Sequence, residues 1–246
     1  MKKILAVFLS FCLSLTVLVC SAEVSSSTPS VTIVDAYDSV AIRNDIVQYY
    51  NLQSKTNVTI TYKSSSYIYL VNLNQAQLEF YYGVMTGYTA TESCSSVAVV
   101  DLIKHYKGTM DTESAYISFL NQAYTNGYFT SNRGQLQGSK YKQGISLCAS
   151  QNSVSGNGAE YTYNKRARTR NALNAGQPVL LSLGWASHSV VATGIEIFTV
   201  SYTESGSVHS FEVEYFMVNE NWARAGGSLV LAKRFSDSTG GAFILQ

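Results

Sequence analysis

Two side chains with complementary chemistry stand at the start of regular elements in this sequence. Cys94 lies where the polar turn TATES gives way to SSVAVVDLIKHY, an apolar run with helical spacing. A cysteine at a helix N-terminus is close to free backbone N–H groups and to the positive end of the helix dipole, and both stabilise a thiolate. His188 lies at the mouth of an apolar strand in GWASHSVVATGIE. An imidazole there can accept the thiol proton as a general base.

A third group follows His188 by 31 positions. The apolar strand EYFMVNENW closes on Asn219, Glu220 and Asn221, and polar side chains of this kind are unusual at such a strand end. An amide or carboxylate there accepts a hydrogen bond from an imidazole N–H and fixes its tautomer. We therefore predict Cys94 as the nucleophile, His188 as the base, and Asn219 or one of its neighbours as the residue that orients His188.

The other histidines are weaker candidates. His105 follows Cys94 by 11 residues on the same predicted helix, about 16 Å along the axis and too far to share a proton. His209 lies at a predicted hairpin end, which favours a surface position. The sequence has no CxxC pair, no HExxH motif and no cluster of histidines and acids. We therefore predict neither a metal site nor a cofactor.

The elements that must position these groups predict an α+β fold, with helices first and an antiparallel sheet after them. Helical spacing predicts helices over SSVAVVDLIKHY, TESAYISFLNQAYTNGYF and NKRARTRNALNAGQP. Strand patterns follow in VLLSLGW, SHSVVATGIEIFTVSY and FEVEYFMVN, and a short strand is predicted over ISLCAS. Upstream, SVTIVDAY, NVTITYK and SYIYLVNL are typical of strands, and DSVAIRNDIVQYYNL is predicted to be a short helix.

The N-terminus has the pattern of a secretory signal peptide over residues 1–22, with a basic start, an apolar stretch and small residues before a cut after Ala22. A lipoprotein acylated at Cys20 is the alternative. No later apolar run is long enough to predict a membrane span. Removal of the signal takes two lysines and no acid, which changes the net charge from +1 to −1. The mature chain therefore lacks the basic field that nucleic-acid binding requires.

The chain after the signal divides into two parts. Residues 23–76 form a Ser-rich linker and a β-rich segment, which is either a removable pro-segment or a part of the main fold. Residues 77–246 form the principal domain. Its two cysteines, Cys94 and Cys148, are too few for a disulfide framework. Either they pair once, or Cys94 is a free thiol and Cys148 is a buried strand residue.

Three motifs in this order resemble the secreted bacterial papain-like cysteine peptidases, and are similar to the double-glycine (bacteriocin-processing) peptidase-like family. The motifs are ESCSSVAVVDLIKHY, LNAGQPVLLSLGWASHSVVATGIE and YFMVNENW. The resemblance extends from about Leu78 to the C-terminus and leaves residues 23–72 outside. It implies a helical half that carries the cysteine and an antiparallel sheet that carries the histidine and the asparagine.

The resemblance also implies roles for individual residues. Cys94 would be the nucleophile, His188 the base and Asn219 the orienting residue, with Trp222 shielding the imidazole from water. The spacing to the tryptophan in papain-like proteins favours Glu220 as orienting residue instead, and Asn221 is a further alternative. Family members usually have an oxyanion-hole glutamine six residues before the cysteine. Tyr88 occupies that position here, which makes Tyr88 the candidate oxyanion donor.

These observations predict a secreted enzyme that hydrolyses peptide bonds in a peptide or protein substrate through a thioester acyl-enzyme. Two alternatives use the same fold. One is a catalytically inactive binding or adhesion module, which the tyrosine-rich composition and the missing glutamine favour. The other is an acyltransferase or amidase with the same nucleophile.

Overall fold

The computed structural model describes residues 33–35, 39–70, 73–129, 133–183, 188–221, 228–231 and 240–246. The predicted signal peptide and the Ser-rich linker lie outside these residues. The helices are α1 (Ser39–Tyr49), α2 (Gln75–Thr86), α3 (Cys94–Tyr106), α4 (Thr112–Thr125), α5 (Tyr141–Gln151) and α6 (Lys165–Asn174). The strands are β1 (Ile33–Asp35), β2 (Thr56–Tyr67), β3 (Gly158–Glu160), β4 (Val179–Leu183), β5 (His188–Glu204), β6 (Ser207–Asn219), β7 (Ser228–Leu231) and β8 (Gly241–Leu245).

The strands form one antiparallel sheet in the order β1-β7-β6-β5-β4-β8-β3, with β2 also paired to β5. Strand β5 is central because it pairs with β4 along its first residues and with β2 further on. On its other edge it pairs with β6 along most of its length. Helices together with an antiparallel sheet confirm the α+β prediction.

Helix α3 lies inside the helical layer and is buried from its first residue to Ile103. The apolar spacing at Val97, Val100 and Ile103 explains its helical form, and all three side chains are fully buried. Helix α4 follows Asp111, whose carboxylate accepts from the backbone N–H groups of Glu113 and Ser114 and so caps the helix. The local signals of these two helices therefore agree with their packing.

The two faces of the sheet are covered differently. Leu180, Val191 and Phe243 pack in the apolar cluster that contains α3, α4 and α5. Residues that alternate with them, such as Leu181 and Val190, pack with α6 on the other face. This alternation is the normal consequence of the two-residue period of a strand. It decides which side chains of β5 can reach Cys94.

Two element predictions are wrong. ISLCAS belongs to helix α5 and is not a strand, because Tyr141, Ile145, Cys148 and Ala149 lie at helical spacing and are buried together. The predicted strand NVTITYK lies within β2, which has a register shift between Tyr62 and Ser64, but only the first two residues of SYIYLVNL belong to β2, and residues 68–70 form no strand. A window of six residues is too short to separate helical from strand periodicity, which explains the first error.

The β-rich N-terminal segment shares the sheet with the rest of the chain. Strand β1 pairs with β7, and β2 pairs with β5 along most of its length. Helix α1 packs Ile42 and Ile46 against Phe198 and Tyr215 of the sheet. In the part of the chain that the structure describes, no helix is long and apolar enough to cross a bilayer.

Candidate active site

Cys94 is the first residue of α3, and its sulfur is not in a disulfide. The turn before it is anchored to helix α2, since the Ser93 N–H and the Ser93 hydroxyl both donate to Glu79 Oε1, at 3.0 and 2.8 Å. The Gln75 amide donates to the same oxygen at 2.9 Å. The start of the cysteine helix is therefore held by a second helix that the sequence analysis left without boundaries.

The thiol of Cys94 is surrounded by hydrogen-bond donors and is nevertheless not a resting thiolate. Burial raises its pKa above the usual value, and the charge of Glu79 adds to this. The backbone N–H of Ser189, the backbone N–H of Ser95 and the Ser189 hydroxyl all act in the opposite direction. The helix start supplies a donor as expected, but desolvation outweighs the donors and favours the neutral thiol.

His188 is the first residue of β5 and is buried. Burial lowers its pKa to about 4, and a hydrogen bond with the Glu220 backbone partly opposes that shift. A backbone group that raises an imidazole pKa is an acceptor, so the Glu220 carbonyl accepts from a ring N–H. The imidazole is therefore neutral at pH 7, with one nitrogen used as a donor and the other able to accept a proton.

On strand β5, the residue that contacts the Cys94 thiol is Ser189, which follows His188. Side chains alternate along a strand, so Ser189 faces α3 together with Val191, whereas His188 lies on the side of its cross-strand partner Leu183. The structure thus brings the first residues of β5 against the start of α3. It places Ser189 beside the sulfur and His188 beside the Glu220 carbonyl.

Asn219 is the last residue of β6 and is paired with Val191 of β5. Its amide nitrogen donates to Asp101 Oδ2 at 3.2 Å and to the Leu70 carbonyl at 3.3 Å. Both N–H groups of the amide are thereby used. Asn219 lies where the motif predicts it, but the group described on the imidazole is the carbonyl of the next residue, Glu220.

Asn221, one of the alternative orienting residues, connects the strand end to the segment that leads into α2. Its side-chain oxygen accepts from the Leu73 N–H at 3.0 Å, and its carbonyl accepts from the Gln75 N–H at 2.9 Å. Its backbone has a φ of 61°, a left-handed conformation that asparagine tolerates better than most residues. Glu220 lies between Asn219 and Asn221, and all three residues are buried.

Sequence reasoning missed Asp101, a fully buried acid on α3 that contacts Asn219. Burial raises its pKa to about 7, while the Asn219 amide, the Lys104 charge and the Asn221 side chain oppose the shift. A signal was present, because an acid within the apolar run VAVVDLI is unusual unless it is paired. What the sequence lacks is any indication of which residues pair with it.

A buried pair of hydroxyls next to the thiol was also missed. The Tyr141 hydroxyl lies 2.7 Å from Ser189 Oγ, and Ser189 in turn contacts Cys94. Tyr141 comes from α5, the helix that was predicted as a strand. Three elements, α3, α5 and β5, therefore meet at the sulfur.

Tyr88, the candidate oxyanion donor, is 54% exposed. Its ring lies on the Arg133 guanidinium at 3.7 Å, and the same guanidinium packs on the ring of Tyr124 at 3.8 Å. This stacking holds the Tyr88 ring through a cation–π contact. Trp222, the residue expected to shield the imidazole, lies outside the described residues.

The second cysteine, Cys148, is a free thiol and is fully buried in the middle of α5. Burial raises its pKa to about 12. The alternative of a disulfide between Cys94 and Cys148 is therefore wrong for this structure. Across the described residues, no three side chains of histidine, cysteine or acid lie close enough together to hold a metal ion.

No protein-family model, curated protein or solved structure matches this chain. The function is therefore inferred from the geometry of the site and from the motifs.

Proposed function

We propose that this chain is a secreted cysteine peptidase of papain-like architecture, with Cys94 as nucleophile, His188 as general base and Asn219 as the residue that anchors the base. The observation that carries the proposal is the contact of Ser189 with the Cys94 sulfur. It joins two motifs that lie far apart in sequence. The Glu220 carbonyl on His188 joins the third motif to them.

Contacts between the motifs form a closed circuit. Cys94 contacts Ser189, which is adjacent to His188, and His188 is held by Glu220, which is adjacent to Asn219. Asn219 contacts Asp101 on the helix that begins with Cys94. These contacts hold the backbone of His188 next to the nucleophile. Proton transfer further requires the imidazole, which lies on the Leu183 side of β5, to turn toward the sulfur.

The reaction begins from a neutral thiol and a neutral imidazole, because burial raises the pKa of Cys94 and lowers that of His188 to about 4. The sulfur forms a bond to the peptide carbonyl carbon as His188 takes the thiol proton, and the carbonyl oxygen becomes an oxyanion. The imidazolium then protonates the departing amine, the C–N bond breaks and a thioester remains. Water attacks the thioester with His188 again as base, and the carboxylic acid leaves as the thiol is restored.

Two groups of backbone atoms stabilise the charges that develop. The Glu220 carbonyl accepts a hydrogen bond from the imidazole and so favours the imidazolium. The N–H groups in the first turn of α3 have no preceding helical carbonyl to bond and point toward its N-terminus, where the oxyanion forms. Tyr88 is the further candidate for this second role, in place of the glutamine that the resemblance would supply.

A binding module is the second candidate function, and the exposed face of α2 favours it. Phe80, Val84 and Met85 are 70%, 65% and 68% exposed on this one helix. Exposed apolar side chains at helical spacing are typical of surfaces that contact a partner. The two functions differ in what they require of Cys94.

The test is peptide hydrolysis by protein secreted from the full-length chain, with products identified by mass spectrometry. We expect Cys94→Ala to abolish cleavage and His188→Ala to reduce it by at least about 100-fold. Cys148→Ala is the matched control, since it removes the other buried thiol and should retain cleavage.

Unchanged hydrolysis in Cys94→Ala, or no hydrolysis by the wild type, would contradict the proposal and favour the binding module. Product analysis with an added amine nucleophile separates hydrolysis from acyl transfer. A transferase forms a new amide in place of the free acid.

A further inference from the structure

The buried position of Asp101 is unfavourable for a carboxyl group. It is fully buried on α3 among Val97, Val100 and Leu102, which are also fully buried. A carboxyl group in such surroundings destabilises the fold unless polar partners compensate for its lost hydration. The residues that bond to Asp101 indicate its role.

Two asparagines flank one carbonyl group. The Asn219 amide donates to Asp101 Oδ2 at 3.2 Å, and the Asn221 side-chain oxygen accepts from the Leu73 N–H at 3.0 Å. Glu220 lies between them, and its carbonyl is the group that holds His188. Asp101 fixes Asn219 on one side of Glu220 and the Leu73 N–H fixes Asn221 on the other, and together these bonds fix the direction of that carbonyl.

The same helix carries the nucleophile. Asp101 follows Cys94 by seven residues, which is about 10 Å along the axis and close to two full turns, so both side chains lie on one face of α3. A helix is a rigid spacer over this length. It links the position of the thiol to the position of the strand end that holds the imidazole.

We propose that Asp101 is a positioning residue: it holds Asn219 at the end of β6 so that the Glu220 carbonyl stays directed at His188 in register with Cys94. The inference rests on the proposed function, in which His188 acts on Cys94. Asp101 itself does not contact the reacting atoms and acts through the end of β6.

The test compares two substitutions at Asp101 with a matched control elsewhere. Asp101→Leu removes the acceptor, and Asp101→Asn keeps an acceptor of the same shape. Asp45→Asn is the control, because Asp45 is another buried acid, on α1, which accepts from the Tyr215 hydroxyl at 2.8 Å. Urea unfolding measures the stability of each full-length protein.

Two readouts report on positioning. The first is the ¹⁵N resonances of His188 in histidine-labelled protein, assigned with His188→Ala. The second is the pH profile of Cys94 alkylation by iodoacetamide. We expect Asp101→Leu to shift the His188 resonances and to slow alkylation at pH 7 by about tenfold or more. Asp101→Asn should stay within about threefold of the wild type, while Asp45→Asn loses stability and changes neither readout.

The proposal is overturned if Asp101→Leu and Asp45→Asn leave the His188 resonances equally unchanged. Should Asp101→Leu not fold, the decision passes to Asp101→Ala, which also removes the acceptor and must shift those resonances more than Asp45→Asn does. Failure of the proposed function has a different signature. In that case the single substitution His188→Ala leaves the rate of Cys94 alkylation unchanged. The His188 resonances of the Asp101 variants still show whether Asp101 positions the imidazole.

Discussion

Cys94 and Cys148 lie in two regions of the same helical layer and share most of the properties by which cysteines are usually judged. Neither cysteine is in a disulfide, both are buried, and α3 and α5 pack against each other. They differ in their place within the helix. Cys94 is the first residue of α3, whereas Cys148 is in the interior of α5, where the backbone N–H groups are already bonded.

The surroundings of the two sulfurs differ accordingly. Cys94 receives donors from Ser95 and Ser189, and its exposed fraction is 7%. Cys148 is 0% exposed and has the Asn152 amide as the group that opposes its desolvation, which leaves its pKa at about 12. Burial alone therefore gives an inert thiol. A helix start that meets a strand start gives a thiol with a route to ionisation.

The largest expected effect is a difference in labelling rate between the two cysteines. In native protein at pH 8, we expect iodoacetamide to label Cys94 at least about 100-fold faster than Cys148, since thiolate fraction and access both favour Cys94. Peptide mass spectrometry after timed quenching measures both rates in one sample. Denatured protein, in which both should react alike, is the control. Equal native rates would remove the distinction between the two regions.

A smaller effect is expected from the donor on strand β5. Ser189→Ala removes a hydroxyl that favours the Cys94 thiolate. A hydrogen bond to a charged group contributes about 1.5 kcal/mol or more, which corresponds to about one pKa unit. The pKa of Cys94 should rise further and labelling at pH 7 should slow about tenfold. Ser182→Ala, at the paired position on β4, is the control; an equal slowing there would show a general effect of the strand.

The smallest effect is on the pH dependence of stability, to which two groups near Cys94 contribute in opposite directions. His188 has a folded pKa of about 4 against 6.5 unfolded, so the unfolded state binds more protons between these values and stability rises with pH. Asp101 has a folded pKa of about 7 against 3.8 unfolded, so its contribution falls with rising pH over that range. The two slopes oppose each other in the wild type.

Replacing either His188 or Asp101 should leave the pH dependence of stability that the other residue produces. We expect the free energy of unfolding of Asp101→Asn to rise from pH 4 to 6.5, and that of His188→Ala to fall over the same range, each by about 1 kcal/mol per pH unit at most. Urea unfolding at several pH values measures both. Cys148→Ala should give a curve parallel to the wild type. A tilt in that control, or the same tilt in both variants, would contradict the assignment.

Helices with clear local signals were predictable from sequence. The apolar periods of α3 and α4 repeat within one or two turns, so a short window contains them. Helix α5 was not recovered, because Ile145 and Cys148 become a buried face only when the sheet and α3 lie against them. Its short apolar run fits a strand equally well when taken alone.

In the candidate site, the residues at element ends were predictable and their partners were not. Cys94, His188 and Asn219 stand at the starts and ends that their motifs indicate. The contacts with Ser189, Tyr141 and Asp101 depend on strand register and on which face of β5 meets α3. No local pattern encodes these choices, since they arise between segments far apart in the chain.

The sequence by itself determined the chemical groups and their places at the ends of helices and strands, because capping, periodicity and residue type are local properties. Tertiary structure alone decided the protonation states. Burial sets the direction of the pKa shifts at Cys94, His188 and Asp101, and burial is known only once all the covering elements are in place. The same packing brings Asp101, on the helix that begins with Cys94, into contact with Asn219 at the end of β6.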